Sequence, residues 1–117
     1  MKTEKKIINK PWGSESIWAH TKDYVGKILF INKGHRLSKQ YHEKKEETIL
    51  VKSGTLSLEV GEEKVEYIEL GPGEAYHISP GTVHRFCALS TDVVLIEVST
   101  PELGDVVRLQ DDYNRSV

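Results

Sequence analysis

Histidine, glutamine and glutamate recur in this sequence at spacings that suit metal coordination. The five histidines are His20, His35, His42, His77 and His84. A lone histidine in a β-rich chain is ordinarily a satisfied polar residue, but two of these gain meaning from their neighbours. Gln40-Tyr41-His42 reads as extended chain, where side chains at i and i+2 share a face, so Gln40 and His42 project together. Glu47 lies five residues beyond His42, the wrong parity for one continuous strand. A tight turn through Glu43-Lys44-Lys45 would reset the parity and let Glu47 point inward from the next strand. His84 opens another extended stretch after the Pro80-Gly81 turn. An amide oxygen, two imidazoles and a carboxylate converging inside a barrel would make a mixed N/O site for one divalent ion. Such donors suit Zn, Mn, Co, Ni or Fe, and their softness does not choose among them. The competing reading is that Glu43 to Glu47 is a solvated hairpin tip, with Lys44 and Lys45 simply surface.

The elements that must position these groups are strands. Most apolar residues fall in short Val-, Ile-, Leu- and Tyr-rich runs separated by Gly, Pro, Asn and Ser. The pattern predicts strands at roughly 15–19, 25–32, 37–43, 46–53, 55–60, 64–70, 74–79, 83–89 and 93–99. Turn residues separate them, as in Asn32-Lys33-Gly34, Ser53-Gly54 and Gly71-Pro72-Gly73. Nine short strands at this density point to an antiparallel sandwich or barrel. Lys10-Pro11-Trp12-Gly13 is a rigid lead-in to the first strand. The tail from Asp105 to Val117 carries a strand-like Val106-Val107-Arg108-Leu109, and composition alone reads it as a solvated terminus.

Composition narrows the function classes. With 117 residues the chain has room for one domain, and 38% hydrophobic and 29% charged residues are ordinary for a globular protein. Sixteen basic residues against eighteen acidic ones leave a net charge of -2, without the basic excess that nucleic-acid binding needs. No membrane partner is expected, and the charged N-terminus, with only Ile7 and Ile8 behind it, predicts no signal peptide and a cytoplasmic home. Cys87, the single cysteine, has opposite parity to His84 and reads as a structural thiol.

Two motifs carry a family resemblance. Gly34-x5-Gln40-x-His42-x4-Glu47-x6-Gly54 resembles the first cupin motif, with Gln in place of its first His. Gly73-x5-Ser79-Pro80-Gly81-x2-His84 resembles the second, with Ser79 standing where that motif has Pro and Ala88 replacing its final Asn. Lys10-Pro11-Trp12-Gly13-Ser14, Gly34-His35-Arg36-Leu37-Ser38, Gly81-Thr82-Val83-His84-Arg85, Leu95-Ile96-Glu97-Val98 and Asp111-Asp112-Tyr113 are together similar to the type II mannose-6-phosphate isomerase domain. That domain commonly ends longer chains carrying a guanylyltransferase, of which this sequence has no glycine-rich nucleotide loop. The likeness runs from about residue 9 to 115.

The resemblance implies an all-β, cupin-type double-stranded β-helix, a jelly-roll barrel forming a single domain over 1–117. Its core motifs fall at about 25–99, with an N-terminal arm (1–14) and a C-terminal tail (105–117) packed on the barrel. It implies Gln40, His42, Glu47 and His84 as ligands of one divalent metal, and isomerisation of mannose 6-phosphate and fructose 6-phosphate through a cis-enediol. Such chemistry needs a base near the carbon acid. Glu97, in the apolar run Val93 to Val98, is the preferred candidate, with an outward-facing strand residue as its alternative, and His77 competes, with a plain barrel-wall histidine as its alternative. The phosphate would be held by Lys27, Arg36 or Arg85, with Arg108 an outside choice. Arg85 has the wrong parity relative to His84, and surface ion pairs are the alternative use of each cation. Trp12, Trp18, Tyr24 and Tyr67 are candidates for stacking on a sugar or for core and interface packing. A small sugar phosphate is the expected partner, with a homodimer through strand edges. The rival functions are an Fe(II) dioxygenase, an isomerase or epimerase of another sugar phosphate or nucleotide sugar, and a non-catalytic phosphosugar-binding cupin.

Overall fold

The computed structural model describes residues 1–115, and Ser116 and Val117 at the end of the tail lie outside the described residues. Twelve strands, and no helix among the described residues, build two antiparallel sheets packed face to face. The first sheet contains β1 (Lys6–Lys10), β2 (Gly13–His20), β3 (Val25–Ile31), β6 (Glu47–Ser53), β9 (Ala75–Ile78) and β11 (Val93–Ser99), in the order β1-β2-β3-β11-β6-β9. The second contains β5 (Lys39–Tyr41), β7 (Leu56–Val60), β8 (Glu66–Leu70), β10 (His84–Ala88) and β12 (Val107–Gln110), in the order β12-β5-β10-β7-β8. The short β4 (His35–Arg36) also pairs with β10. This is the all-β jelly roll that the motifs imply. No helix of the described residues is long and apolar enough to cross a membrane.

Strand alternation decides what fills the barrel. Leu29 and Ile31 of β3, Ile49 and Val51 of β6, Leu56 and Leu58 of β7, Phe86 of β10 and Leu95 of β11 all point inward and are buried. Each such side chain contributes roughly 1.5–3 kcal/mol relative to an exposed one. Trp12, the first aromatic of the chain, joins this core.

Two features depart from the expected strands. Residues 6–10 form a strand, which pairs with β2 through a tight turn at Pro11 and Trp12. The expected strand at 37–43 is interrupted at Leu37 and Ser38, where Arg85 Nε donates to the Leu37 carbonyl at 2.8 Å and Leu37 N–H reaches Phe86 O. The 105–115 part of the tail lies on the barrel, against the reading from composition alone: β12 pairs with β5, and Asp112 binds Arg36 and Arg85. Gly54 shows why the turn after β6 is glycine: its φ is 81°, and an added Cβ would sit 2.0 Å from the Asp92 carbonyl oxygen.

Candidate metal centre

Three donors meet at one end of the barrel interior. His42 follows β5, Glu47 opens β6, and His84 opens β10, and their ligand atoms lie within 4.8 Å of one another. His42 Nε2 is 3.3 Å from Glu47 Oε2, and His84 Nε2 is 3.8 Å from Glu47 Oε1. All three side chains are buried, yet both Nε2 atoms and both Glu47 oxygens lack an aligned hydrogen-bond partner. Buried polar atoms are rarely left so, because desolvation without a partner costs about 1–3 kcal/mol each. A divalent ion would satisfy all four. The donor set, two imidazoles and a carboxylate, is one that such ions accept, so the residues fit the group.

The histidines are also oriented as ligands. His42 Nδ1–H donates to the Asp105 carbonyl at 2.5 Å, and His84 Nδ1–H donates to the Thr82 carbonyl at 2.9 Å. A carbonyl can only accept, so each proton resides on Nδ1 and each Nε2 keeps its lone pair for a cation. Asp105 does more than offer its carbonyl. Its carboxylate accepts the backbone N–H groups of Glu43, Lys44 and Lys45 at 2.7–3.0 Å, pinning the turn that joins His42 to Glu47. Those three N–H groups hold the Asp105 carboxyl down at about 2. Gly81 N–H donates to the His42 carbonyl at 2.7 Å, which ties the turn before β10 to the same ligand.

Next to the donors lies a buried charge triad. Lys45 Nζ is 2.9 Å from Glu47 Oε2 and 3.2 Å from Glu97 Oε2, as close charge contacts. Burial disfavours the Lys45 ammonium, but Glu97 and Glu47 outweigh it and hold the proton on. Burial would raise Glu47, but the His42 imidazole against it and the neighbouring Lys45 charge reverse this, to about 2. Glu97 goes the other way: burial first, then the neighbouring Glu47 charge, raise it above the ordinary carboxylate value. Burial lowers His84, keeping it neutral and able to ligate. Gln40, His42, Lys45, Glu47 and Glu97 line a cavity of about 120 Å³, with Lys10, Lys27 and Arg108 also on its wall.

The family model for the cupin domain matches residues 27–99, more than half of the chain. The chain belongs to the cupin family. No curated protein matches the sequence significantly. Among solved structures, this cupin is similar to KdgF from Halomonas sp., at 24% identity and a TM-score of 0.72, over 84% of this chain and 86% of that one. It is also similar to the capsular polysaccharide assembling protein CapF from Staphylococcus aureus, at 20% identity and a TM-score of 0.80, over 92% of this chain but 34% of that one. Oxalate decarboxylase from Bacillus subtilis gives 14% identity and a TM-score of 0.76, over 92% of this chain and 30% of that one. The cupin thus spans about a third of the length of the latter two. At these identities the likeness shows a shared fold alone.

Within the cupin barrel the sequence candidates separate. Gln40 pairs directly with His84 across β5 and β10 and faces the cavity, but its amide oxygen accepts the Ser38 hydroxyl at 2.7 Å, so it stands beside the donor cluster with that oxygen engaged. Glu97 faces inward, opposite Lys27 of β3. His77 does not reach the site: it points outward from β9 and pairs with Glu46 at 2.5 Å in solvent. Lys27 lines the cavity, bound to Glu15 at 3.3 Å. Arg36 and Arg85 do not line it, because both turn to the outer face of their sheet and clamp Asp112, at 2.7 and 3.1 Å. Their place at the cavity is taken by Arg108, whose Nε is buried without a partner, and by Lys10. Lys45 corrects the surface reading of Lys44-Lys45: Lys44 is exposed and Lys45 is buried. Of the aromatics, Trp12 lines the cavity while Tyr24 and Tyr67 are exposed. Cys87 is buried beside Glu59, and that burial with the nearby carboxylate pushes its thiol up to about 12.

Proposed function

We propose that this cupin is a metal-dependent aldose–ketose isomerase interconverting mannose 6-phosphate and fructose 6-phosphate. The observation that carries the reading is a cavity whose wall includes His42 and Glu47 of the three-donor cluster, a buried carboxylate of raised proton affinity and the cationic Lys10 and Arg108. The similarity of the two cupin motifs and the end segments to the type II isomerase domain supports the choice of substrate. At about 120 Å³ the cavity suits the reacting C1–C2 end of an open-chain hexose, with the phosphate toward the mouth.

A divalent ion held by His42, Glu47 and His84 would supply a Lewis acid for the substrate's carbonyl and hydroxyl oxygens. The chain's own groups do the rest. Glu97, ionised but with raised proton affinity, takes the proton from C2 of mannose 6-phosphate, and the C2–H electron pair becomes the C1–C2 double bond of the enediolate. The same carboxylic acid returns the proton to C1, while a proton passes from O2 to O1, leaving the C2 ketone. Lys45, 3.2 Å from Glu97, fixes that carboxylate and keeps its charge tolerable in a buried setting. Arg108 and Lys10 bind the phosphate by charge-assisted hydrogen bonds, and Leu29, Leu37 and Phe86 on the wall exclude water.

The test is to supply mannose 6-phosphate to the purified chain loaded in turn with each divalent metal, and to assay fructose 6-phosphate. Glucose 6-phosphate is the specificity control. Turnover lost on chelation and in Glu97→Gln is expected. Tight binding of the ester without turnover or solvent proton exchange at C2 would leave a phosphosugar-binding cupin instead.

A further inference from the structure

Across the first sheet, charged residues follow one another from strand to strand. Glu47 stands on β6, Glu97 on β11, Lys27 on β3, Glu15 on β2 and Lys10 on β1, in the order in which those strands pair. Each of them lines the cavity. In the isomerase reading Glu47 holds the metal, Glu97 the travelling proton and Lys10 the phosphate. Lys27 and Glu15, which lie between the base and the phosphate cation, are left without a role. Lys27 pairs directly with Glu97 across β3 and β11, and its Nζ donates to Glu15 Oε1 at 3.3 Å. The two side chains are only 9% and 12% exposed. A buried ion pair seldom recovers its desolvation cost as stability, so a pair kept on a cavity wall asks for another use.

We infer that Lys27 and Glu15 are the specificity-determining pair of this site, binding the C3 and C4 hydroxyls of the sugar phosphate. The inference rests on the isomerase reading and extends it to the part of the substrate that does not react. An open chain with C1 and C2 at the metal donors and Glu97, and its phosphate at Lys10, lays its middle carbons over β3 and β2. The groups found there match a diol. The Lys27 ammonium has three donors and spends one on Glu15, and the Glu15 carboxylate keeps lone pairs to spare. One hydroxyl therefore accepts from Lys27 while its neighbour donates to Glu15. Leu29, the next inward residue of β3 on the cavity wall, offers no polar substitute. Stereochemistry makes the pair selective. In an extended chain of fructose 6-phosphate the C3 and C4 hydroxyls project to the same side, so adjacent groups on one wall reach both. Inverting either carbon turns one hydroxyl away and leaves a buried charge short of a partner.

The test offers the metal-loaded chain fructose 6-phosphate and its C3 and C4 epimers, and follows the aldose 6-phosphate formed from each. The wild-type chain should favour fructose 6-phosphate over either epimer by about a hundredfold or more in kcat/KM. Glu15→Gln keeps the Lys27 charge beside Glu97 and should cut that preference by at least about tenfold. Combining it with Lys27→Met removes both charges together, so neither is stranded in the interior, and should cut the preference at least as far. Far-UV circular dichroism establishes that the variants are folded. A wild-type chain that turns over all three esters alike overturns the inference and leaves the isomerase reading standing. So does a folded variant, single or double, in which all three rates fall at an unchanged ratio, as a purely structural pair would give. No turnover of any ester with any divalent metal sinks the isomerase reading, and this inference with it.

Discussion

The inward positions of β3, β6, β10 and β11 divide into two halves. At one end stand Lys27, Glu47, His84 and Glu97, and on the same four strands at the other end stand Ile31, Val51, Ala88 and Val93. Both halves are almost fully buried, so burial does not separate function from packing. Pairing does. The apolar half satisfies itself by contact, whereas the polar half holds carboxylates and imidazoles whose buried atoms want a cation. One half stabilises the barrel and the other draws on that stability to keep costly groups in place.

The sharpest way to break this division is at a ligand. His84→Ala should lower divalent affinity by about three orders of magnitude or more, while far-UV circular dichroism shows the fold retained. Wild-type metal content in the folded variant would remove the polar half's purpose. Next in size is Lys45→Met, which strips the cation from two buried carboxylates. In chelator it should cost about 3–5 kcal/mol in urea unfolding, and divalent loading should restore most of it, since the ion replaces the missing charge. An equal loss with and without metal would mean that Lys45 serves packing alone. Leu95→Ala probes the other half. Leu95 is fully buried, so a loss of about 2–5 kcal/mol is expected, with metal stoichiometry per folded chain unchanged.

The division was partly legible in the sequence. Turn spacing and strand alternation conveyed the barrel, because both are local. The placement of His42, Glu47 and His84 was legible through motif spacing and the parity reset at residues 43–45. The structure adds the device that holds this reset, the Asp105 carboxylate on three N–H groups. What was not legible depends on long-range pairing. Arg36 and Arg85 sit beside ligand positions in sequence but face outward, and their partner Asp112 arrives from the tail. Arg108 reaches the cavity only because β12 adds to β5. β1 escaped notice because Lys6-Ile7-Ile8-Asn9-Lys10 is too polar to resemble a core strand, and it stands at the sheet edge.

Asp105 supplies a smaller effect of a distinctive kind. Asp105→Ala should weaken divalent binding by about 10- to 100-fold, as outer-shell substitutions do, and lower the urea midpoint as well, because three backbone N–H groups lose their acceptor. Its folded value of about 2 lies below the ordinary 3.8. The contribution is therefore complete above 3.8 and lost only as pH falls toward 2, so near neutrality substitution, not protonation, exposes it. Unchanged affinity in a titration of the variant would show that the turn holds itself.

The smallest effect belongs to Lys44, and it sharpens the contrast most. Lys44 and Lys45 are adjacent and chemically identical, yet one lies in solvent and the other between two buried carboxylates. Alternation could have assigned them: 45, 47, 49 and 51 are all buried, so the inward pattern of β6 extends one step back into the turn. The charge of Lys45 masked that continuity, since an isolated lysine is seldom interior. Lys44→Ala should change stability by no more than about 0.5 kcal/mol, as a surface position does. Metal affinity should stay at the wild-type value, because the Asp105 bond uses the backbone N–H of Lys44, which alanine retains. A Lys44→Ala chain that loses metal as Lys45→Met does would show the turn shifted by one residue, with every inward assignment of β6 shifted with it.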